Sequence, residues 1–156
     1  MKNREDIYKI TCIILMLDQI IKLIINNNMK LFDHITIIPN FFSILFVKNT
    51  GAAFSILENN TIFLIILSVV FVVILDRYIK KEKNFSKLAT ISLGLLLGGI
   101  FGNLIDRIIH HGVIDYLSFT FFKYSFPVFN LADIAITVGV FLLIISMIID
   151  NKKKEG

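Results

Sequence analysis

The chain has 156 residues, of which 56% are hydrophobic and only 18% are charged, and its formal net charge is +4. This composition is too apolar for an ordinary soluble domain, because the apolar residues form runs too long to alternate between a core and water. We therefore interpret the positive charge as a signal of membrane topology rather than of nucleic-acid binding. The single cysteine, Cys12, excludes an internal disulfide and a cysteine-based metal cluster.

Four segments are long and apolar enough to cross a hydrocarbon core about 30 Å thick, which needs roughly 17 to 25 residues per helix. They cover residues 7–25, 61–79, 88–109 and 129–149. The first contains Asp18 and Lys22 and lacks a small-residue cleavage site, so we predict a permanent span rather than a signal peptide. The predicted fold class is an all-α integral membrane protein with four transmembrane helices, forming a single domain over residues 1–156.

Positive charge is distributed unevenly among the ends of these spans. Eleven of the sixteen Lys and Arg residues lie at or beyond the start of the first span, the end of the second, the start of the third or the end of the fourth. They are Lys2, Arg4, Lys9, Arg77, Lys80, Lys81, Lys83, Lys87, Lys152, Lys153 and Lys154. Because cytoplasmic loops carry the excess of Lys and Arg, we predict that both termini are cytoplasmic.

The two outward connections, residues 26–60 and 110–128, contain more bulky apolar residues than a solvated linker needs, so we expect them to fold against the membrane. In the first connection, residues 35–38 and 41–47 are rich in Ile, Phe and Val around a Pro39-Asn40 break. This pattern predicts two strands joined by a turn, and hence a small extracytoplasmic β-sheet.

Ionisable side chains inside a span are costly in lipid, so each is a functional candidate unless a partner accounts for it. Asp18 and Lys22 are four residues apart on one helical face. They form either a structural ion pair or part of a site. Asp76 and Arg77 end the second span at the cytoplasmic boundary, and we interpret them as structural.

The third span contains small residues at four-residue spacing: Gly94, Gly98 and Gly102, with Gly99 beside them. Such a stripe favours close helix packing. The outer end of the same span presents three polar groups on roughly one side: Asn103, Asp106 and Arg107. An Asn and an Arg that face the bundle interior could orient a substrate backbone. Asp106 beside Arg107 is alternatively a charge pair at the membrane surface.

Two carboxylates converge on the outer membrane face. Asp133 falls in the first turn of the fourth span, just after Pro127, where it is either a partner of the helix dipole or a chemical group. Asp115 lies between apolar residues just past the third span. Two carboxylates held close share a proton near neutral pH, so one can activate water while the other polarises a carbonyl. That is aspartic peptidase chemistry, although composition and spacing alone do not identify a peptidase.

Other chemistries have weaker support in the residue inventory. No serine stands in a recognisable nucleophile setting near a histidine, so a serine mechanism is unsupported. A metal site would have to be built from Asp106, His110, His111 and Asp115, but adjacent histidines point to different sides of a helix. A small transporter and a non-catalytic scaffold stay open, and transport would require charges throughout the membrane depth.

Five motifs, in order along nearly the whole chain, resemble those of lipoprotein signal peptidases (signal peptidase II), a family of membrane aspartic peptidases. They are Asp18-Gln19-Ile20-Ile21-Lys22, Asn49-Thr50-Gly51-Ala52-Ala53-Phe54, residues 98–107, Val113-Ile114-Asp115-Tyr116 and Phe129-Asn130-Leu131-Ala132-Asp133. One departure is Tyr116, where the family usually has Phe.

This resemblance implies that Asp115 and Asp133 are the catalytic dyad, and that Asp106 is structural rather than chemical. It implies substrate-binding roles for Asn49, Gly51, Ala53, Phe54, Asn103, Arg107 and Asn130. It also implies that the site is supported by Asp18, Lys22 and Ala132.

The resemblance further implies a substrate, a bacterial prolipoprotein whose cysteine carries a diacylglyceryl group, with cleavage just before that cysteine. The antibiotic globomycin would block the reaction, and no metal or organic cofactor is expected. We expect the enzyme to contact membrane lipids, to bind no nucleic acid and to act as a monomer. It would lie in the bacterial cytoplasmic membrane with its active site at the outer face.

Overall fold

The structure, a computed structural model, describes residues 2–51, 60–82, 84–122 and 124–155. Along these residues the helices are α1 (Lys2–Asn28), α2 (Thr61–Lys81), α3 (Lys87–His110) and α4 (Leu131–Glu155). The strands are β1 (His34–Ile38), β2 (Phe42–Asn49), β3 (Val113–Phe121) and β4 (Tyr124–Ser125). The chain is therefore mostly helical, with a small sheet contributed by the two connections that were predicted to lie on one side of the membrane.

Within the described ranges, three helical segments are long and apolar enough to cross a membrane: Thr61–Lys81, Lys87–His110 and Leu131–Asn151. They confirm the predicted spans at 61–79, 88–109 and 129–149 to within two residues at each end. Helix α1 covers the predicted first span, and its 27 residues extend about 40 Å. Helix α1 contains more polar residues than the three segments above and is not among the segments apolar enough to cross a membrane. A fourth span therefore stays a prediction.

Helix α4 begins two residues later than predicted because Phe129 is held in the sheet. The N–H of Phe129 donates to the carbonyl of Leu117 at 3.1 Å, and the carbonyl of Phe129 accepts from the N–H of Leu117 at 2.8 Å. A residue bonded on both sides to a strand cannot also turn into a helix. The helix therefore starts only after Asn130.

The glycines of α3 allow two helices to approach it closely. A Cβ at Gly94 would lie 2.6 Å from the Cβ of Ile10 on α1, and a Cβ at Gly99 would lie 2.5 Å from the carbonyl oxygen of Ala132 on α4. Neither distance is possible for a real side chain. Helix α3 thus packs between α1 and α4, which confirms the helix-packing interpretation of the glycine stripe.

The sheet is antiparallel with strand order β1-β2-β3-β4. Strands β1 and β2 confirm the two strands predicted at residues 35–38 and 41–47. Strands β3 and β4 come from the second connection, where we predicted no strand. The signal was present, since apolar and polar residues alternate from Leu117 to Phe121.

The sheet packs on the end of the helix bundle through a small apolar cluster. Phe46 of β2 and Ile114 and Tyr116 of β3 are buried there, with Ile21 and Ile25 of α1 against them. This packing places the beginning of β3 beside the ends of α1 and α3. We refer to this end of the molecule as the sheet end of the bundle.

Candidate active site

Asp115 owes its position to the register of β2 and β3. Asn49 pairs with Val113 and Val47 pairs with Asp115, so Asn49 and Asp115 are diagonal neighbours on one face of the sheet. The Nδ2 of Asn49 donates to Oδ2 of Asp115 at 3.0 Å. A register shift of one residue would turn Asp115 to the opposite face.

Asp133 owes its position to the first turn of α4. The Oδ1 of Asn130 accepts from the backbone N–H of Asp133 at 2.9 Å, and Oδ2 of Asp133 accepts from the backbone N–H of Asn130 at 3.2 Å. This reciprocal pair is a capping box with an aspartate at its third helical position. The helix-terminus role that we considered for Asp133 is therefore present, and it fixes the carboxylate at the sheet end of the bundle.

Asn130 connects the two carboxylates. Its Nδ2 donates to Oδ1 of Asp115 at 2.6 Å, while its backbone and Oδ1 form the capping box with Asp133. Asn130 is fully buried and Asp115 is 2% exposed. The structure thus brings together the two aspartates that lie eighteen residues apart in sequence.

Burial, together with the negative charge of Asp133, raises the pKa of Asp115 to about 7. Hydrogen bonds from Asn49 and Asn130 oppose the shift. A carboxyl with this pKa is about half protonated at pH 7. The pair can therefore hold one proton at neutral pH, which is the state needed for acid and base roles on one site.

Asn103 contacts Asp133 from α3. Its Nδ2 donates to Oδ1 of Asp133 at 2.7 Å, and its Oδ1 accepts from Nζ of Lys22 at 3.0 Å. An ammonium group can only donate, so Lys22 holds the amide oxygen of Asn103 on its own side. The amide nitrogen is thereby directed toward Asp133.

Lys22 lies between two buried carboxylates. Its Nζ is 2.8 Å from Oδ2 of Asp18 and 2.9 Å from Oδ2 of Asp106, and all three side chains are at most 2% exposed. The ion pair predicted between Asp18 and Lys22 is therefore formed, and it also contacts the site through Asn103. The alternative of a surface charge pair between Asp106 and Arg107 is wrong, because Asp106 is buried and paired with Lys22.

Asp18 and Asp106 each also accept a hydrogen bond from the backbone of a residue that directly precedes Asp133 or Asp115 in the chain. The Oδ1 of Asp18 accepts from the N–H of Ala132 at 3.0 Å, and Oδ2 of Asp106 accepts from the N–H of Ile114 at 3.0 Å. The buried charge cluster of Asp18, Lys22 and Asp106 thus fixes the backbone next to Asp133 and Asp115.

Arg107 lies at the edge of the site nearest the first connection. Its Nη2 donates to the carbonyl of Gly51 at 3.3 Å and its Nη1 to the carbonyl of Asn103 at 3.4 Å. The N–H of Gly51 donates to Oδ1 of Asn49 at 2.9 Å, which orients the Asn49 amide toward Asp115. Two other residues named from the sequence lie outside the described residues: Ala53 and Phe54.

Gln19 supports the site and was missed as a site residue. Its Nε2 donates to Oδ1 of Asp106 at 3.0 Å and to the carbonyl of Gly102 at 3.2 Å, and it lies 3.3 Å from Oδ2 of Asp18. A polar residue beside Asp18 inside an apolar span was the available signal.

Tyr116 supports the site through its hydroxyl, which the sequence did not reveal. The oxygen accepts from the N–H of Leu131 at 3.2 Å, at the first turn of α4. Burial raises the pKa of Tyr116 to about 12, so the hydroxyl keeps its proton. The first three N–H groups of α4 are thus satisfied by β3, α1 and Asn130 in turn.

The chain is similar to known proteins both in sequence and in fold. A family model described as signal peptidase (SPase) II matches residues 10–149 of this chain. A solved structure described as a bacterial membrane enzyme, determined by the in meso method at 2.3 Å resolution, is 34% identical; the match covers 93% of this chain and 88% of that one, with a TM-score of 0.85. A second structure with the same description, at 1.9 Å resolution, is 34% identical over 88% and 89% of the two chains, with a TM-score of 0.79.

Proposed function

The chain belongs to the signal peptidase II family, and on that premise we propose that it removes the signal peptide from diacylglyceryl-modified bacterial prolipoproteins. Cleavage falls just before the lipidated cysteine. The observation that carries this proposal is the position of Asn130, which bonds to Asp115 and Asp133 at once. Two carboxylates linked in this way, with one proton between them, form an aspartic peptidase dyad.

In the proposed mechanism Asp133 acts as the base and Asp115 as the acid. Asp115 supplies the proton because its pKa of about 7 keeps a proton available at neutral pH. Asp133 accepts N–H hydrogen bonds from Asn103 and from the Asn130 backbone, which stabilise its charged form, and the proton held by Asp115 leaves Asp133 as the partner that accepts a proton from water.

The reaction conserves protons across the pair. Asp133 accepts a proton from water, the water oxygen attacks the scissile carbonyl carbon, and Asp115 gives its proton to the carbonyl oxygen. The resulting diol collapses when Asp133 gives its proton to the leaving amine nitrogen and Asp115 takes one back from a diol hydroxyl. The dyad again holds one proton, and the peptide bond has been replaced by an acid and an amine.

The substrate backbone would be held by the groups beside the dyad. Arg107 and Asn49 fix the Gly51 backbone at the edge of the site, and a small residue there leaves room for an extended peptide. The acyl chains of the substrate would lie between helices, where the exposed side chains are apolar.

We infer a fourth span from the surface of α1. Its polar residues Asp18 and Lys22 are buried against the bundle. Its exposed face is apolar, with Met16, Ile20 and Leu23 each more than half exposed. A helix with this surface suits lipid on the outside and a charge cluster on the inside. With four spans in the bacterial cytoplasmic membrane, the charge distribution puts both termini in the cytoplasm and the dyad at the outer face.

The dyad is tested by two single substitutions. Asp115→Asn and Asp133→Asn should each abolish cleavage of a diacylglyceryl-modified prolipoprotein in detergent. Asparagine at position 133 keeps an oxygen for the Asn130 N–H, so folding should survive, as circular dichroism would show. Asp76→Asn is the matched control and should leave activity unchanged, because Asp76 bonds to Tyr8 and Lys80 at the far end of the bundle. Full activity in either dyad variant would exclude the mechanism.

The substrate class is tested separately with lipidated and unlipidated forms of one prolipoprotein peptide. Only the diacylglyceryl form should be cleaved, and globomycin should inhibit that cleavage. Equal cleavage of both forms would leave an aspartic peptidase but remove the lipid requirement.

A further inference from the structure

The hairpin between β3 and β4 ends in an exposed group of rings. Phe121, Phe122, Tyr124 and Phe126 make up this aromatic tip, and Phe122 is 100% exposed. Tyr124 and Phe121 both pack edge-on against Phe126, with ring centroids 5.0 and 5.5 Å apart. Phe121, Tyr124 and Phe126 therefore form one packed apolar group with Phe122 exposed beside it, and the sequence places one charged residue, Lys123, between Phe122 and Tyr124.

The backbone at the tip is unfavourable for the residue it carries. Phe122 has φ of +55°, in the left-handed region that glycine and asparagine adopt readily and that costs free energy for a bulky residue. Phe32, in the turn before β1, repeats the pattern with φ of +71° and a side chain that is 69% exposed. A ring that is fully exposed to water gains no packing energy to offset the strained backbone. The compensating contact must therefore come from an environment less polar than water.

The tip is held close to the membrane surface by its connections. Phe129 bridges to Leu117, and two residues later α4 begins an apolar segment able to cross the membrane. Phe121 is only four strand residues beyond Leu117, or about 13 Å. The tip therefore stays near the level at which α4 enters the bilayer.

A continuous row of ring contacts joins the tip to the start of α4. Phe129 stacks on Phe119 at 5.7 Å, Phe119 contacts Phe41 at 5.6 Å, and Phe41 contacts Phe121 at 5.1 Å. The apolar surface of the tip thus continues from the membrane helix without an intervening charged residue among these contacts. Rings with one polar end, such as tyrosine, and phenylalanine beside them are typical of the boundary between lipid and water.

We propose that the aromatic tip inserts into the outer headgroup layer of the same bilayer and anchors the sheet to the membrane. The occupant of this surface is lipid, rather than a protein partner. The choice of the outer layer rests on the membrane orientation given under the proposed function, and the proposal is independent of peptidase activity.

The chain contains no tryptophan, which gives a direct test. Phe122→Trp and Tyr124→Trp each introduce a single fluorescent reporter at an exposed position. The variants are reconstituted in phosphatidylcholine–phosphatidylglycerol vesicles with and without phosphatidylcholine brominated near the top of the acyl chain. Phe71→Trp, on the exposed face of α2 within a candidate span, is the positive control, and the unsubstituted chain gives the tryptophan-free baseline.

Brominated lipid should quench both tip reporters at least twofold, and aqueous iodide should quench them weakly. Strong iodide quenching with no effect of brominated lipid would overturn the proposal and place the tip in water. Protection from both quenchers that increases with the protein-to-lipid ratio would also overturn it, because the tip would then lie against a second copy of the chain.

Discussion

Removing Lys22 should destabilise the protein more than removing any exposed lysine. Lys22→Met keeps the length and the apolar stem of the side chain and deletes only the charge. The change leaves Asp18 and Asp106 buried without the ammonium group that lies 2.8 and 2.9 Å from them. Breaking a buried ion pair by removing one partner costs about 3 to 5 kcal/mol of unfolding free energy, because the remaining charge is left uncompensated.

The chain supplies its own control in a second pair with the same spacing. Lys80 and Asp76 are also four residues apart and bond at 2.7 Å, but their side chains are 67% and 33% exposed. An exposed pair contributes about 0 to 1 kcal/mol. Lys80→Met should therefore change the unfolding free energy several-fold less than Lys22→Met, although the two pairs have nearly equal bond lengths.

The assay is unfolding of the detergent-solubilised protein by dodecyl sulfate, followed by helical circular dichroism. Equal losses for Lys22→Met and Lys80→Met would refute the burial argument. A triple variant, Lys22→Met with Asp18→Asn and Asp106→Asn, separates charge from packing. It should recover part of the lost stability, because it leaves no unpaired charge in the cluster. No recovery would mean that the loss comes from packing.

Four further outcomes are expected. As pH rises past about 7, the pKa of Asp115, the dyad loses its shared proton, so the pH–rate profile should fall on its alkaline side. Asn49→Ala removes a hydrogen bond that lowers this pKa and should move that fall to higher pH. Gly102→Ala would overlap Oδ2 of Asp18, so the same unfolding assay should show a loss of about 1 to 3 kcal/mol. Tyr116→Phe leaves the first N–H of α4 without its acceptor and should cost about 1 to 3 kcal/mol, while cleavage continues because the hydroxyl bonds to neither dyad carboxylate.

The apolar spans were predictable because their length and composition are set by the bilayer alone. Residues 61–79, 88–109 and 129–149 needed no knowledge of their neighbours. Strand β3 was not predicted, because its first residues, Val113 and Ile114, are both apolar and its alternation begins only at Leu117. The register of β3 against β2, which directs Asp115, depends on long-range pairing that a single sequence does not display.

The candidate site was predictable only where it depends on local spacing along the chain. Spacing alone placed Asp18 and Lys22 on one helical face, and the structure contains that pair. The third member, Asp106, comes from another helix eighty-four positions after Lys22, so local periodicity could not include it. Gln19 bonds to Asp106 and to the Gly102 carbonyl on α3, and the hydroxyl of Tyr116 bonds to the Leu131 N–H on α4, so both roles depend on contacts with other elements that local periodicity does not display.

The arrangement explains why charges are kept inside an apolar bundle at all. Asp133 is fixed by a local capping box and Asp115 by the register of a sheet, so the two carboxylates are positioned by two different elements. The buried cluster joins these elements, since Asp18 bonds to α4 just before Asp133, and Asp106 bonds to β3 just before Asp115. Lys22 neutralises one of the two cluster charges and contacts the site through the amide of Asn103. The cluster therefore holds the backbone beside both aspartates in position, so that their carboxylates lie in one site.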